Sequence, residues 1–334
     1  GWNATDWLLL RGSAQTATRA PNLVQVNQAQ VARFGSRVDA VYQYITENNT
    51  TTASGMDSDS KYTIQRFATG AENLESEKSK NSSIGFVIQP PMLEGLTVTY
   101  DAWKIVKDKT IGLFGRDNHT VLDLAMLLES GNSNCGSSVG NSSVIRDEDE
   151  LDAGVIALFE TAGICPVGRA YRVTDEYINM AKRTLEGQDI GIKYDFETSF
   201  GEFGIRYNAS FTDTFKQVPT GDFSTIQAAQ ASGAIPSYVN LKGFGNLLGI
   251  DGAYDEKHSA KLLWRKGDWG GSLTGLRKGD FIQSSLTLSD GTEYVVPSMT
   301  TMDASVYYRF KLAGNSARIK LAVKNLADER APTA

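Results

Sequence analysis

The stretch "GEFGIRYNASFTDTF", Gly201 to Phe215, alternates apolar and polar side chains along almost its whole length. The apolar row holds Phe203, Ile205, Tyr207, Ala209, Phe211 and Phe215, and the polar row holds Glu202, Arg206, Asn208, Ser210, Thr212 and Thr214. A period of two is typical of a β-strand whose two faces meet different surroundings. Those surroundings are either a protein core and water, or lipid and a water-filled lumen.

The same alternation recurs through the chain and predicts an all-β, antiparallel fold. Further apolar rows are formed by Ile190, Ile192, Tyr194 and Phe196, and by Val306, Tyr308 and Phe310. The pattern predicts about nine strands, over residues 5–17, 79–89, 95–109, 176–197, 201–217, 256–267, 269–284, 297–311 and 316–326.

Strand length and loop order favour a membrane barrel over a soluble sandwich. At ~3.3 Å per residue, a strand over 201–217 spans roughly 50 Å, which crosses a bilayer even when tilted. Short turns separate strands at one end, whereas the loops over 18–78, 110–175 and 218–255 are long. Short turns at one end and long loops at the other are typical of outer-membrane barrels, whose long loops are extracellular.

Composition excludes some classes of protein. The chain has 334 residues and a formal net charge of −6, which argues against a nucleic-acid partner. No run approaches the ~20 apolar residues of a spanning helix, so a helical membrane protein is excluded.

The two cysteines, Cys135 and Cys165, lie in the 110–175 loop. Each follows a predicted helix, one in "DNHTVLDLAMLLESG" and one in "RDEDELDAGVIALFETAG", both of which end at glycine. We interpret the cysteines as a disulfide, which implies an oxidising compartment; two free thiols are the alternative.

The sequence predicts no enzyme, cofactor or metal site. His119 and His258 are isolated, and no nucleophile, zinc or phosphate-binding motif is present. The acidic run "RDEDELD" (Arg146–Asp152) lacks the spacing of a calcium loop and favours a helix N-terminus instead. A glycosidase pair among the many carboxylates stays open at this point.

Aromatic residues concentrate near the predicted short turns. Trp264 and Trp269 are the main candidates for a ring at a membrane interface, and the others are Phe196, Phe200, Phe203, Tyr308 and Phe310. The alternative is the ordinary enrichment of aromatic residues in strands.

Several stretches resemble the TonB-dependent outer-membrane receptors, in the C-terminal part of their β-barrel. In "LLLRGSAQTATRAPNL" (Leu8–Leu23), the "RAP" matches the family's Phe-Arg-Ala-Pro, with Thr18 in place of the aromatic residue. "GAENLESEKSKNSSIGFVIQP" (Gly70–Pro90) resembles the stretch that leads into the next strand. "RIKLAVKNLADERAP" (Arg318–Pro332) carries the family's Val-x-Asn-Leu-x-Asp.

The resemblance implies a receptor of the cell outer membrane that imports a scarce nutrient, an iron-siderophore or an oligosaccharide. It implies a plugged barrel and an energy-coupling partner of the TonB type, which contacts the plug. Residues 1–334 are expected to hold part of the barrel only, without the plug domain and the last strand. The chain alone is therefore expected to form an open, curved sheet with unpaired edges.

Under this hypothesis the apolar rows face lipid. The residues so predicted are Phe203, Ile205, Tyr207, Phe211, Phe215, Ile190, Ile192, Tyr194, Phe196, Val306, Tyr308 and Phe310. Ligand binding is expected in the three long loops. Two alternatives remain: a passive porin or structural barrel, and a soluble β-rich carbohydrate-binding protein or enzyme with the apolar rows packed between two sheets.

Overall fold

The computed structural model describes residues 1–47, 60–136, 139–147, 151–288 and 292–332. The strands are β1 (Trp2–Thr5), β2 (Leu8–Arg19), β3 (Val31–Arg33), β4 (Ser36–Val38), β5 (Lys61–Thr63), β6 (Gln65–Thr69), β7 (Glu77–Ile88), β8 (Leu96–Asp108), β9 (Thr110–Leu113), β10 (Val144–Arg146), β11 (Ala170–Met180), β12 (Arg183–Thr198), β13 (Gly201–Gln217), β14 (Gly245–Asn246), β15 (Glu256–Lys266), β16 (Trp269–Lys278), β17 (Phe281–Thr287), β18 (Glu293–Val296), β19 (Met299–Leu312) and β20 (Asn315–Val323). The helices are α1 (Leu23–Asn27), α2 (Ala40–Glu47), α3 (Arg116–Ser130), α4 (Ala153–Ala162) and α5 (Asp222–Ala231).

One large antiparallel sheet dominates the chain. Its strand order is β1-β2-β7-β8-β12-β13-β15-β16-β19-β20, and the short β14 pairs with β13. Apart from the strands that lie within inserted segments, neighbours in this sheet are successive strands of the chain, as in the wall of a barrel. Within the described residues β1 and β20 each pair with a single neighbour, so the sheet is open, as predicted.

The predicted strands are largely confirmed, with three differences. Strand β13 has the predicted bounds of 201–217. The predicted strand over 176–197 is wrong as a single element, because β11 and β12 belong to different sheets. Likewise, 269–284 divides into β16 and β17, and the strand predicted over 5–17 begins at Leu8 as β2, with Thr5 belonging to β1.

Short turns join the strands at one end of the sheet, which we call the turn end. The opposite end, the loop end, carries three long inserts over residues 20–76, 109–182 and 218–255. The inserts, predicted as long loops with helices only in the second, are more ordered than that. They contain the five helices of the described residues and a five-stranded sheet in which β10, β11, β6 and β3 follow one another and β9 pairs with β11.

Both predicted helices of the second insert are confirmed. Helix α3 ends at Gly131, and α4 begins after Asp152, whose side chain accepts a hydrogen bond from the Val155 backbone N–H. Helix α4 ends at Gly163, which adopts the left-handed conformation that glycine favours. Residues 148–150 of the acidic run, like residues 48–59 of the first predicted loop, lie outside the described residues.

The small sheet contains a parallel pair, β6 with β11, so the chain is not antiparallel throughout. Sequence alternation cannot distinguish the two arrangements, because both place side chains with a period of two. Within the described residues, no helix has the length and the apolar character needed to cross a bilayer.

Candidate functional site

The largest buried apolar cluster of the described residues lies in the inserts and not on the large sheet. Its members include Val41 and Ile45 from the first insert, Leu124 and Phe159 from the second, and Ile226 from the third. We call the packed body formed by the three inserts the loop subdomain. Its helices bury apolar side chains against one another, and that burial holds the inserts together.

Aromatic contacts and the disulfide join parts of the loop subdomain that are distant in sequence. The ring centroids of Tyr42 and Phe159 lie 5.8 Å apart, and those of Phe114 and Phe223 lie 4.6 Å apart. The predicted disulfide is confirmed, with Cys135 and Cys165 bonded across a Cα–Cα distance of 5.3 Å.

A buried ion network crosses the subdomain. Arg146 Nη1 lies 2.7 Å from Asp39 Oδ2, and Arg146 Nη2 lies 2.7 Å from Asp123 Oδ2. The Asp39 and Asp123 side chains are 0% and 4% exposed, and that of Arg146 is 9% exposed. The Tyr62 hydroxyl donates to Asp39, and the Arg146 Nη1 also donates to the Gly168 carbonyl at 2.8 Å. The network therefore ties the first insert to the second.

Burial and partners act on the two carboxylates with opposite results. Burial alone would raise the pKa of Asp39, but the charge and hydrogen bonds of Arg146, with the donors Tyr62 and Ala170 N–H, hold that pKa below its usual value. Burial raises the pKa of Asp123, and Arg146 offsets only part of this effect. Burial would lower the pKa of Arg146, but the two carboxylates outweigh it and keep the guanidinium charged.

His119, isolated in sequence, lies inside α3 and is buried. Its Nδ1 lies 3.2 Å from Asn141 Nδ2, and its Nε2 lies 3.4 Å from Asp175 Oδ1. Nothing in the sequence links these residues. His119 thus makes buried polar contacts within the loop subdomain. Among the described residues, no cluster of His, Cys, Asp or Glu could hold a metal ion.

The predicted apolar rows lie side by side on one face of the large sheet, which we call the apolar face. Residues directly opposite one another in antiparallel strands share a face. The opposed pairs include Phe196 and Phe203, Tyr194 and Ile205, Ile192 and Tyr207, Ile190 and Ala209, and, farther along the sheet, Trp269 and Tyr308. Phe310 faces Ala317 and Val306 faces Leu321 on the same face.

Phe215 is the exception, and its prediction is corrected. The register of β12 and β13 shifts between Glu186 and Gly187, which leaves Asp213 as an extra residue. Beyond this bulge the faces exchange, so Phe215 lies under the guanidinium of Arg183 on the polar face, whereas Phe211 contacts His258 on the apolar face. Alternation alone gives no sign of the bulge, because Asp213 fits the row as a single interruption.

No second sheet packs on the apolar face within the described residues. Ile205, Val306 and Tyr308 are 37%, 38% and 38% exposed, and none of the predicted row residues belongs to either buried apolar cluster. Trp264 and Trp269 lie near the turn end of this face, next to the turn at 267–268. Trp264 Nε1 donates to the Phe200 carbonyl at 2.9 Å.

The other face of the large sheet, the polar face, carries ion pairs between strands, one of which reaches across β7 from β2 to β8. Arg206 Nη2 lies 2.5 Å from Asp195 Oδ1, and the Arg11 guanidinium pairs with Asp101. These side chains are partly exposed.

A family model for the TonB-dependent receptor-like β-barrel matches residues 1–326. The chain belongs to the TonB-dependent receptor β-barrel family. Membership accounts for the order of the large sheet, for its open edges as part of a barrel, and for inserts confined to one end. A comparison with curated proteins finds no match.

Solved structures of a siderophore receptor and of a ferric enterobactin receptor share the fold. The siderophore receptor PirA from Acinetobacter baumannii aligns over 98% of this chain and 36% of its own, at 15% identity and a TM-score of 0.51. A mutant of the ferric enterobactin receptor PfeA from Pseudomonas aeruginosa, in complex with enterobactin, aligns over 97% of this chain and 34% of its own, at 14% identity and a TM-score of 0.51. The chain thus spans about a third of the length of these receptors.

The buried network of Arg146, Asp39 and Asp123 was not predicted from the sequence. Arg146 and Asp39 are 107 residues apart, and the only signal was the acidic run that begins at Arg146. Predicting the network requires knowing which inserts meet.

Proposed function

We propose that this chain is part of the wall and the extracellular loops of an outer-membrane receptor that imports a scarce nutrient. The observation that carries the proposal is the large sheet, with apolar rows uncovered on one face, polar and ion-paired side chains on the other, and a packed subdomain at one end. Ion pairs on the apolar face, such as Glu256 with Arg277, lie near its loop end. An apolar face of this extent is stable in contact with the hydrocarbon of a bilayer. Closure into a barrel gives the backbone N–H and C=O groups of the edge strands their hydrogen-bond partners.

In this proposal the apolar rows contact lipid and the polar face lines the lumen. The residues assigned to lipid are Phe203, Ile205, Tyr207, Phe211, Ile190, Ile192, Tyr194, Phe196, Val306, Tyr308 and Phe310, with Trp264 and Trp269 at the interface near the turn end. The remaining strands and the plug domain belong to the full-length receptor, where the plug would contact a TonB-type energy-coupling protein.

The loop subdomain is the part of this chain that we assign to ligand capture. A packed core, a disulfide and a buried ion network make it a preorganised surface, and such a surface loses less entropy on binding than flexible loops do. The names of the structural neighbours favour an iron-siderophore as the ligand, and an oligosaccharide is the second candidate.

The test is uptake by cells in which the full-length gene is deleted and restored. We expect restored cells to take up a radiolabelled ferric siderophore or oligosaccharide, and a protonophore or deletion of the TonB-type partner to abolish that uptake. Uptake that continues without energy would instead establish a passive porin. No uptake of either class, with the receptor present in the outer membrane, would refute the proposal.

A further inference from the structure

Four arginines of the loop subdomain lie near one another at the edge of the small sheet. Arg33 on β3 lies directly opposite Arg66 on β6, so both belong to the same sheet face. Arg37 and Arg116 meet at Gly35, since a Cβ placed on this glycine would lie 3.6 Å from Arg37 Nη1 and 3.3 Å from Arg116 Nη2. We call these four residues the arginine cluster.

A backbone contact fixes the cluster in place. The Ile64 N–H donates to the Gly35 carbonyl at 3.2 Å, and the Ile64 carbonyl accepts a hydrogen bond from Arg116 Nη1. Ile64 is fully buried. The first residue of α3 is therefore held against the strands that carry the other arginines.

Carboxylates only partly neutralise the cluster. Arg66 Nη1 lies 3.7 Å from Asp175 Oδ2, and Arg37 Nε lies 3.6 Å from Asp117 Oδ1. Both distances exceed the 2.7–2.9 Å typical of charge-assisted hydrogen bonds. Asp117 also pairs with Lys242 at 2.9 Å, and Arg33 forms no ion pair within the described part of the chain.

The cluster has features that are unfavourable without a ligand. Like charges directly opposite one another in a sheet destabilise it, as do cations at the N-terminus of a helix. The buried Nε of Arg116 has no hydrogen-bond partner among the described residues, and burial together with the charge of Arg37 lowers the pKa of Arg116. Arg146, in contrast, has short contacts to two carboxylates.

We infer that the arginine cluster binds an anionic group, a carboxylate or a phosphate, of the ligand that the receptor imports. This inference rests on the proposed import function and narrows its ligand to an acidic one. Guanidinium groups bind both oxyanions through paired N–H donors, and several of them close together favour a ligand with more than one negative charge. The cluster is accessible from solvent at Arg33, which is exposed on the edge strand β3.

The test uses the purified full-length receptor and two anionic probes, citrate and tripolyphosphate, with maltohexaose as a neutral probe. The variants are Arg33→Gln and Arg37→Gln. Arg172→Gln is the matched control, because Arg172 lies on the neighbouring strand β11 opposite Gln65 and stacks over Phe67, outside the cluster. Titration calorimetry at two salt concentrations gives the affinities, and thermal unfolding reports the fold.

We expect at least one anionic probe to bind, more weakly at high salt, and the neutral probe not to bind at the cluster. Each cluster variant should weaken anion binding by about tenfold or more, and Arg172→Gln should leave it unchanged. Arg33→Gln should not lower the unfolding temperature, because it removes a like-charge pair. The probe that binds more tightly identifies the oxyanion.

Equal affinity in the cluster variants and the unchanged receptor would overturn the inference, as would an equal loss in Arg172→Gln. Uptake separates this result from the broader proposal. If import depends on energy but the cluster variants bind the anionic probes as tightly as the unchanged receptor, only the anion site is refuted. Cluster-dependent anion binding without any import refutes the import function and leaves the site standing.

Discussion

Replacing Arg146 by methionine should open the loop subdomain. The change keeps a long side chain but leaves Asp39 and Asp123 buried without their shared cation. Removal of one partner from a buried ion pair costs about 3–5 kcal/mol, because the remaining charge is left uncompensated. At 1.36 kcal/mol per factor of ten, the population of the opened subdomain should rise by roughly two to three and a half orders of magnitude.

Limited proteolysis of the full-length receptor in outer-membrane vesicles measures this population. Peptides from residues 139–182 should be released far faster from Arg146→Met, while the strands of the large sheet stay intact. Lys242→Met is the matched control, because it breaks a partly exposed pair with Asp117 that is worth at most about 1 kcal/mol.

A triple variant separates the charge effect from lost packing. Adding Asp39→Asn and Asp123→Asn to Arg146→Met removes the buried charges, so part of the protease resistance should return. Cleavage of Arg146→Met within threefold of that of the unchanged receptor would refute the assigned role of the network. So would a triple variant that is less resistant than Arg146→Met.

Three further predictions concern pH, the disulfide and the apolar face. Because the pKa of Asp39 is lowered in the folded state, its contribution to stability is fully present above the unfolded value of about 3.9 and is lost as pH falls from there through the lower folded pKa. Asp39→Asn should therefore flatten the fall of protease resistance below about pH 4, and an unchanged pH profile would contradict this. Replacing Cys135 and Cys165 by serine should destabilise the loop subdomain by up to about 3–4 kcal/mol on the loop-entropy model, as measured by hydrogen exchange, and unchanged exchange would argue that the fold rests on packing alone. Ile192→Arg on the apolar face should cost about 2–4 kcal/mol and reduce barrel assembly, whereas Asn208→Arg on the polar face should assemble normally; equal yields would refute the lipid assignment.

The sequence predicted the large sheet well because the signal for each strand is local. Alternation within 201–211 fixes which residues share a face, and the structure keeps that assignment until the bulge. An extra residue such as Asp213 moves the residues after it to the opposite face, yet in the sequence it appears only as one polar residue in an apolar row. The face of Phe215 can therefore be known only from the pairing of β13 with β12. The division of 176–197 likewise depends on the partners of β11, because β11 and β12 both satisfy the strand pattern.

The loop subdomain was predictable only in part. Capping residues marked α3 and α4, but α5 lies in a stretch whose polar composition favoured a loop. The ion network and the arginine cluster unite residues from separate inserts, and single-sequence patterns carry no information on such distant contacts.

The three inserts that build the loop subdomain leave and re-enter the large sheet through β2 and β7, β8 and β12, and β13 and β15, which are consecutive strands. Its attachment points therefore occupy one continuous stretch of rim, while its core uses no residue of the wall. The loop subdomain could therefore be grafted as a unit onto six adjacent strands of a related barrel, with its buried core unchanged. Substitutions in the grafted unit could then change its surface without disturbing the strands that carry it.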